Sequence, residues 1–398
     1  MRTPQIKRPM VGRDVSESHR ASTPLELFFD LCFVVAVSQA VTGLHHFSAE
    51  GRFEDGIFRY SFAFFAIWWP WVNFTWFASA FDTDDVAYRI AVFVQIGGAL
   101  TIASGIPRYF DSMDLKVMVA GYIIMRLGLV ELWLRAARGD PTAHQTANRF
   151  AIGITLVQIG WIVRLFLPNW IGYPLFAVLV ACELLIPYWA EHAARTRWHP
   201  GHIAERYGLF TMIVLGESIL GATVSIQSAL DAGGSMAKLI VIATGGLLIV
   251  FSMWWLYFDQ PTDASLRRFR DGGNAFWDNP FIFGYGHIFV FASAAAAGGG
   301  IELAVDYATH HTHITGHQAS AMIAIPVALY LVCIWALRRM VNQCPPRKSR
   351  LYLMAIVLVL ATIVLTNPVL PIGLICAALV AGLVLIRFSQ DGAESAYL

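Results

Sequence analysis

Six residues in two short stretches carry more chemistry than an apolar chain has structural need for. Glu26 and Asp30 stand four apart, and Glu205, Arg206, Glu217 and Ser218 follow in a second stretch. Residues four apart on a helix share a face, so Glu26 and Asp30 present two carboxylates side by side. Such a pair suits a basic side chain, a cation or a proton. Arg206 and Glu217 are eleven apart and share nearly one helix face, but they are roughly 16 Å apart along the axis, too far to pair directly. Glu217 sits between Val214-Leu215-Gly216 and Ile219-Leu220, at a depth expected near the bilayer middle. A charge there costs roughly 2.5–3.5 kcal/mol on insertion scales and marks either a functional cavity or a buried hydrogen bond. Thr23-Pro24 ahead of Glu26 reads as a helix start, with Thr23 as cap and Glu26 near the positive helix end.

Other polar groups interrupt apolar runs singly. Arg126 calls for a carboxylate partner, and Glu217 is one candidate; Glu131, Glu183 and His287 are further lone groups. A histidine titrates near neutral pH, but one satisfied between helices is the simpler expectation for His287. Asp82 and Asp259 end two helices, where an acid opposes the helix dipole; each therefore needs a basic partner such as Arg206 or an inner-loop arginine. His310, His311, His313 and His317 form a histidine-rich tract. Imidazoles suit zinc, copper or nickel, yet the spacing matches no standard site, so these are weak metal candidates. No Cys-x-x-Cys pair, nucleotide loop or nucleophile elbow occurs, and no cofactor is expected. Catalytic residues are not assignable from the sequence.

The elements that must position these groups are membrane helices. Of 398 residues, 57% are hydrophobic and only 14% charged, against about 25% charged in soluble domains. The mean hydropathy is +0.57. Nothing in the composition suggests nucleic acid. Apolar runs near the 20 residues needed to span a bilayer predict twelve helices, near 25–44, 58–80, 86–106, 117–134, 150–166, 171–190, 203–225, 237–258, 280–303, 319–337, 351–365 and 371–386. Two pairs are joined by very short turns at Pro168-Asn169 and Asn367-Pro368, so ten is the fallback count. The run from Ala294 to Gly300 reads as a close-packing surface. Trp68, Trp69, Trp71 and Trp76 crowd the second helix and read as belt or packing residues.

Alternating spans place Arg2, Lys7, Arg8, Arg13, Arg20, Arg135, Arg138, Arg149, Arg195, Arg197, Arg206, Arg267, Arg268, Arg270, Arg338, Arg339, Arg347, Lys348 and Arg350 on one side, and few basic residues on the other. By the positive-inside rule both ends are cytoplasmic. The expected fold is an all-α polytopic membrane protein. Sliding the chain by about 178 residues lays Gln39 over Glu217 and Gly43 over Gly221. This predicts two parallel six-helix repeats: a basic tail over 1–24, a first repeat over 25–190, a linker over 191–202, a second repeat over 203–388 and a tail over 389–398.

The stretch Thr23-Pro24-Leu25-Glu26-Leu27-Phe28-Phe29-Asp30-Leu31, followed by Phe33-Val34, resembles the opening signature of the bacterial low temperature requirement A family. Ala204-Glu205-Arg206-Tyr207-Gly208-Leu209 and Leu215-Gly216-Glu217-Ser218-Ile219 resemble its second signature, and Tyr257-Phe258-Asp259 fits as well. The resemblance covers nearly the whole chain. It implies a multi-pass protein of the bacterial cytoplasmic (inner) membrane, whose family name records a cold-growth phenotype and no chemistry. It also implies that Glu26, Asp30, Glu205, Arg206, Glu217 and Ser218 are the functional set, without giving their roles.

The sequence favours a secondary transporter or permease for an unknown small molecule, with a cytoplasm-accessible polar cavity around helices one and seven. An intramembrane enzyme using Glu217, His287 and the inner acids on a hydrophobic metabolite is the alternative, and a membrane sensor or assembly partner a third. Expected partners are the lipid bilayer, the solute and, compatibly with the sequence, further copies of the chain.

Overall fold

The computed structural model describes residues 6–14, 21–259, 266, 280–340 and 344–395. Arg2, Arg20, Arg267, Arg268 and Arg270 of the expected basic side lie outside the described residues. Among those described, twelve α-helices follow one another: α1 (Pro24–Ala49), α2 (Phe53–Phe81), α3 (Val86–Ser112), α4 (Lys116–Gly139), α5 (His144–Arg164), α6 (Asn169–Glu191), α7 (Pro200–Asp231), α8 (Met236–Phe258), α9 (Pro280–Ala308), α10 (Gly316–Met340), α11 (Pro346–Ala361) and α12 (Val369–Ser395). Each expected apolar run falls on its own helix, with 150–166 running past the end of α5 and 351–365 past the end of α11. The short turns at Pro168 and Pro368 do separate two helices each, so the merged-pair count does not arise.

Ten of these helices are long and apolar enough to cross a membrane, all but α2 and α11. The 16 residues of α11 rise about 24 Å, short of a hydrocarbon core of about 30 Å. Its chain continues into a 3-10 turn over Thr362–Val364. Helix α2 has the length but owes much of its bulk to indoles. Trp68, Trp69 and Trp71 are fully buried, so they fill the protein interior and do not form a belt.

The outward-facing side chains complete the case. Leu127 is 65% exposed and Leu156 63% exposed, and Leu185, Val357, Leu374 and Leu385 are likewise uncovered. In water such surfaces aggregate. Helices, whose backbone groups are satisfied internally, are one of two structures that can expose them to hydrocarbon. This is a multi-pass membrane protein.

The chain forms two compact units, Met1–Gln39 with Phe65–Tyr207, and Ala40–Phe64 with Gly208–Leu398. In the first, α3 and α4 cross glycine to glycine: a Cβ on Gly98 would lie 2.6 Å from the Gly121 carbonyl oxygen, and one on Gly121 would lie 2.6 Å from Gly98. In the second, the Ala294–Gly300 run packs as expected. Gly300 lies against Ile323 of α10, Gly299 against Val41 of α1, and Gly298 against Ser218 of α7. Small residues allow this approach, and membrane helices gain their packing that way.

The segment before α1 is strapped to the first unit by acids at helix ends. Asp85, the N-cap of α3, accepts the Arg8 amide at 2.7 Å and the Arg135 guanidinium at 2.6 Å. Asp140 accepts the Gly12 amide at 2.8 Å, and Met10 is buried against Gly139. Burial pushes the Asp85 carboxyl up, but Arg135 and the Arg8 and Tyr88 amides outweigh it and hold it below the usual carboxylate value. Asp140 ends up lowered in the same way, by the Thr142 hydroxyl and the Gly12, Thr142 and Ala143 amides. Carboxyls that bind protons less readily when folded contribute stability that is complete above their unfolded value of 3.8. That contribution is lost as pH falls through the lowered folded values. Thermal midpoints in detergent are therefore expected to be flat in pH above about 5 and to fall below about 4. The double variant Asp85→Asn/Asp140→Asn should melt lower at neutral pH and show a weaker acid-induced fall.

Candidate functional site

The start of α1 is fixed locally before it meets anything else. Thr23 donates its amide to the Glu26 carboxylate at 2.7 Å, and Glu26 donates its amide to the Thr23 hydroxyl at 3.3 Å. This reciprocal capping box orients Glu26 and, one turn later, Asp30. Facing them, the first turns of α7 bring His202 and Arg206, also four apart.

The two faces then pair. Arg206 grips Asp30 with both arms of its fork, Nε to Oδ2 at 2.7 Å and Nη2 to Oδ1 at 2.5 Å. Its Nη1 lies 3.4 Å from Glu26, and His202 Nε2 lies 3.1 Å from the same Glu26 oxygen. From α2, the Trp71 indole donates to Asp30 at 2.6 Å. All four ionisable side chains are at most 1% exposed. The bidentate geometry is the strong form of a charge-assisted hydrogen bond. Two carboxylates face one guanidinium, so a protonated His202 makes the cluster neutral. Glu205, on another face, accepts the Ser22 amide at 3.0 Å and ties the preceding chain to α7.

A second buried pair joins α4 to α6. Arg126 Nη2 donates to Glu183 at 3.0 Å and to the Tyr122 hydroxyl at 3.0 Å. The Trp69 and Trp161 indoles donate to the two Glu183 oxygens, at 2.8 and 3.3 Å. The expected partner Glu217 is thus replaced by Glu183. A buried guanidinium takes the nearest acid on a packed neighbour, and α6 supplies it.

In the second unit, Glu217 is 8% exposed and has no hydrogen bond or ion pair among the described residues. Ser218 instead bonds the Val214 and Ala294 carbonyls, at 3.1 and 3.4 Å. One turn on from Glu217, bare Gly221 receives the Glu302 carboxylate of α9. Glu302 feels the charges of His45, Glu217 and Asp306, and His45 meets Asp306 at 2.9 Å.

The remaining candidates are placed apart. Asp82 lies 3.6 Å from Arg13, and Asp259 lies 3.3 Å from Arg387 and 3.8 Å from Arg338. Both helix-end acids thus have basic partners, and neither of these is Arg206. His287 donates Nδ1–H to the Phe283 carbonyl at 2.7 Å, among the rings of Tyr257, Phe283 and Phe291. Gln39 is half-buried on α1. His311 contacts Thr309 and His317 the Ile363 carbonyl. Among the described residues no three His, Cys, Asp or Glu side chains are placed to hold a metal ion.

Residues 21–385 match the family model described as bacterial low temperature requirement A protein. The chain belongs to this family. An uncharacterized protein of Rhizobium meliloti (strain 1021) is 28% identical over 340 residues, covering 82% of this chain and 79% of its own. Both signature stretches fall within the matched span. In this low temperature requirement A protein, parts of those two stretches meet as the Asp30–Arg206 fork.

The members of these clusters not singled out as site residues from the sequence include His202, Trp71, Tyr122, Trp161, Glu302, Asp306 and His45. His202 is legible in retrospect, because it stands four before Arg206. Trp71 reads from the sequence as a belt or packing residue, and its indole is instead a donor to Asp30. Glu302 and Asp306 are also four apart, but the helix was expected to stop at 303, which left Asp306 in a loop and His45 beyond the end of the first helix.

Removing one partner of a buried charge pair strands the other and costs about 3–5 kcal/mol. Arg206→Ala is expected to destabilise by that order, and Arg206→Lys, which cannot fork, by a smaller amount. Replacing Asp30 and Arg206 together by Leu and Met should recover most of the loss in a melting series. Additive losses in the double variant would contradict the pairing.

Proposed function

We propose that this protein is a secondary transporter of the bacterial cytoplasmic membrane, with both termini in the cytoplasm. It carries an unidentified small solute, and Glu217 is the residue that couples transport to a proton. The Asp30–Arg206 fork with Glu26 and His202 is the cytoplasmic gate, in its closed arrangement.

One observation carries this reading: a carboxylate deep in a membrane helix, 8% exposed, that has no hydrogen-bond or ion-pair partner among the described residues. Every other deeply buried acid described above has an arginine, an indole or an amide. A structural role would supply Glu217 with a donor too, because an uncompensated buried charge is costly. A residue that takes up and gives back a proton must instead be left without a permanent cation.

The orientation is supported by the basic-residue bias. The strap through Arg8, Gly12 and Arg13 supports it too, since it meets the loops after α2 and α4, both inner by span counting. The parallel six-helix repeat is supported by a shared order of packing. In the first unit α3, α4, α5 and α6 pack in succession, and in the second α9, α10, α11 and α12 do the same.

The test is thiol accessibility at Ser218→Cys in a variant lacking the five native cysteines and shown to fold. An impermeant reagent is applied from each side in turn. Labelling from both sides, with pH shifting the balance, is the expected result. Labelling from the cytoplasmic side alone would favour an intramembrane enzyme or sensor.

A further inference from the structure

We infer that Glu217, Glu302, Asp306 and His45 form a proton path that enters the second unit from the side opposite the termini. The inference rests on the transporter reading and supplies its route and its ion.

The geometry is a ladder built by three helices that run the same way. Helices α1, α7 and α9 all start on the inner side by span counting. Higher residue numbers within each therefore lie nearer the outer face. Asp306 and His45, joined at 2.9 Å, are the outermost rung and are each about a quarter exposed, at 26% and 21%. Glu302 is one helical turn deeper on α9, about 6 Å at 1.5 Å per residue. Its carboxylate rests on Gly221 of α7. Glu217 is one further turn deeper on α7 and 8% exposed.

Glycines set the spacing. Gly298 lets Ser218 approach so closely that a Cβ there would lie 2.6 Å from the Ser218 Oγ. Gly299 admits Val41, one turn before His45, on the adjacent side of α9. Without both contacts the carboxylates of α7 and α9 and the imidazole of α1 would not converge. The unpartnered, buried Glu217, whose charge reaches Glu302, shows that the cluster is more than a solvated acidic patch.

The charged and titratable neighbours include Arg52 and Arg59, whose guanidinium groups lie 4.2 and 5.0 Å over the Phe47 ring, two residues from His45. Helix α1 offers His45 and, at its exposed end, His46 paired with Glu50 at 3.4 Å. The Tyr60 hydroxyl of α2 is committed to the Ala292 carbonyl at 2.7 Å. Helix α7 offers Glu217, and α9 offers Glu302 and Asp306. No lysine or arginine is among the charges that act on Glu302.

Three carboxylates with a single imidazole hold an excess of negative charge that protons relieve. Each hop breaks one N–H or O–H bond, forms one O–H bond and moves one positive charge a rung inward. A proton arriving at the His45–Asp306 pair passes to Glu302 and ends on Glu217.

The experiment is pH-difference infrared spectroscopy of the full chain in lipid vesicles, with pH stepped on one side at a time. Wild type is expected to show a protonated-carboxyl signal that follows the pH on the side opposite the termini. Glu217→Gln and Glu302→Gln should each diminish it. Asp306→Asn and His45→Gln should keep it but slow its response by about a hundredfold, the lower end of what a positioned proton carrier contributes. Size-exclusion profiles and melting curves confirm that each variant is folded.

A signal that persists in both glutamine variants would overturn the path, as would one following the terminal side only or one displaced by sodium at constant pH. The two ideas fail separately. Side-dependent labelling of Ser218→Cys with no such infrared signal leaves the transporter standing and removes the path. The infrared signal without two-sided labelling keeps the proton site and removes the transporter.

Discussion

An ion in hydrocarbon must be neutralised where it stands, and the fork between Asp30 and Arg206 is where this protein meets that demand most fully. Two helix beginnings, far apart in sequence, each carry a pair of ionisable residues four apart. Neither pair is tolerable alone at 0–1% exposure. Brought face to face they pair by charge, and the Trp71 indole adds a hydrogen bond to the Asp30 oxygen that Arg206 Nη2 also holds. The capping box at Thr23 and Glu26 fixes the phase of α1, so that both carboxylates point the same way. Local backbone chemistry, through that phase, selects the long-range partner.

The same demand sorts the other buried charges into two kinds. Arg126 Nη2 and Glu183 are joined with a tyrosine and two indoles and have the character of a structural tie. Glu217 and Glu302 have no hydrogen-bond or ion-pair partner among the described residues, and glycine packing holds α7 and α9 together at that level. Satisfied pairs lock helices, whereas an unsatisfied acid keeps a protonation state free to change. The proposed transporter role calls for both, a lock that can be exchanged and a charge that can be switched.

Much of this was legible in the sequence because hydrocarbon imposes a coarse and strict code. The twelve apolar runs fall in twelve helices, and the glycine-alanine run packs as its composition demands. Helix ends were harder to read, since polar residues leave the hydrocarbon before the backbone stops hydrogen bonding. Helix α1 runs to Ala49 and α9 to Ala308, and those extra turns carry His45 and Asp306. Pairing was legible only in part. Spacing shows which residues share a face, as with Glu26 and Asp30, but not which helix packs opposite. That is why Glu217 stands as one candidate partner for Arg126 in the sequence, when the partner is Glu183.

In the proposed transporter the paired starts of α1 and α7 are the cytoplasmic gate. The most direct test places Glu26→Cys and His202→Cys in a protein otherwise free of cysteine, leaving Asp30 and Arg206 intact, with Gln39→Cys added as reporter after the first two thiols have been joined by a short, reversible bifunctional reagent or left open. The linked protein is expected to lose cytoplasmic-side labelling of Gln39→Cys and to regain it when the link is cleaved. Equal labelling with the link closed and open would contradict it.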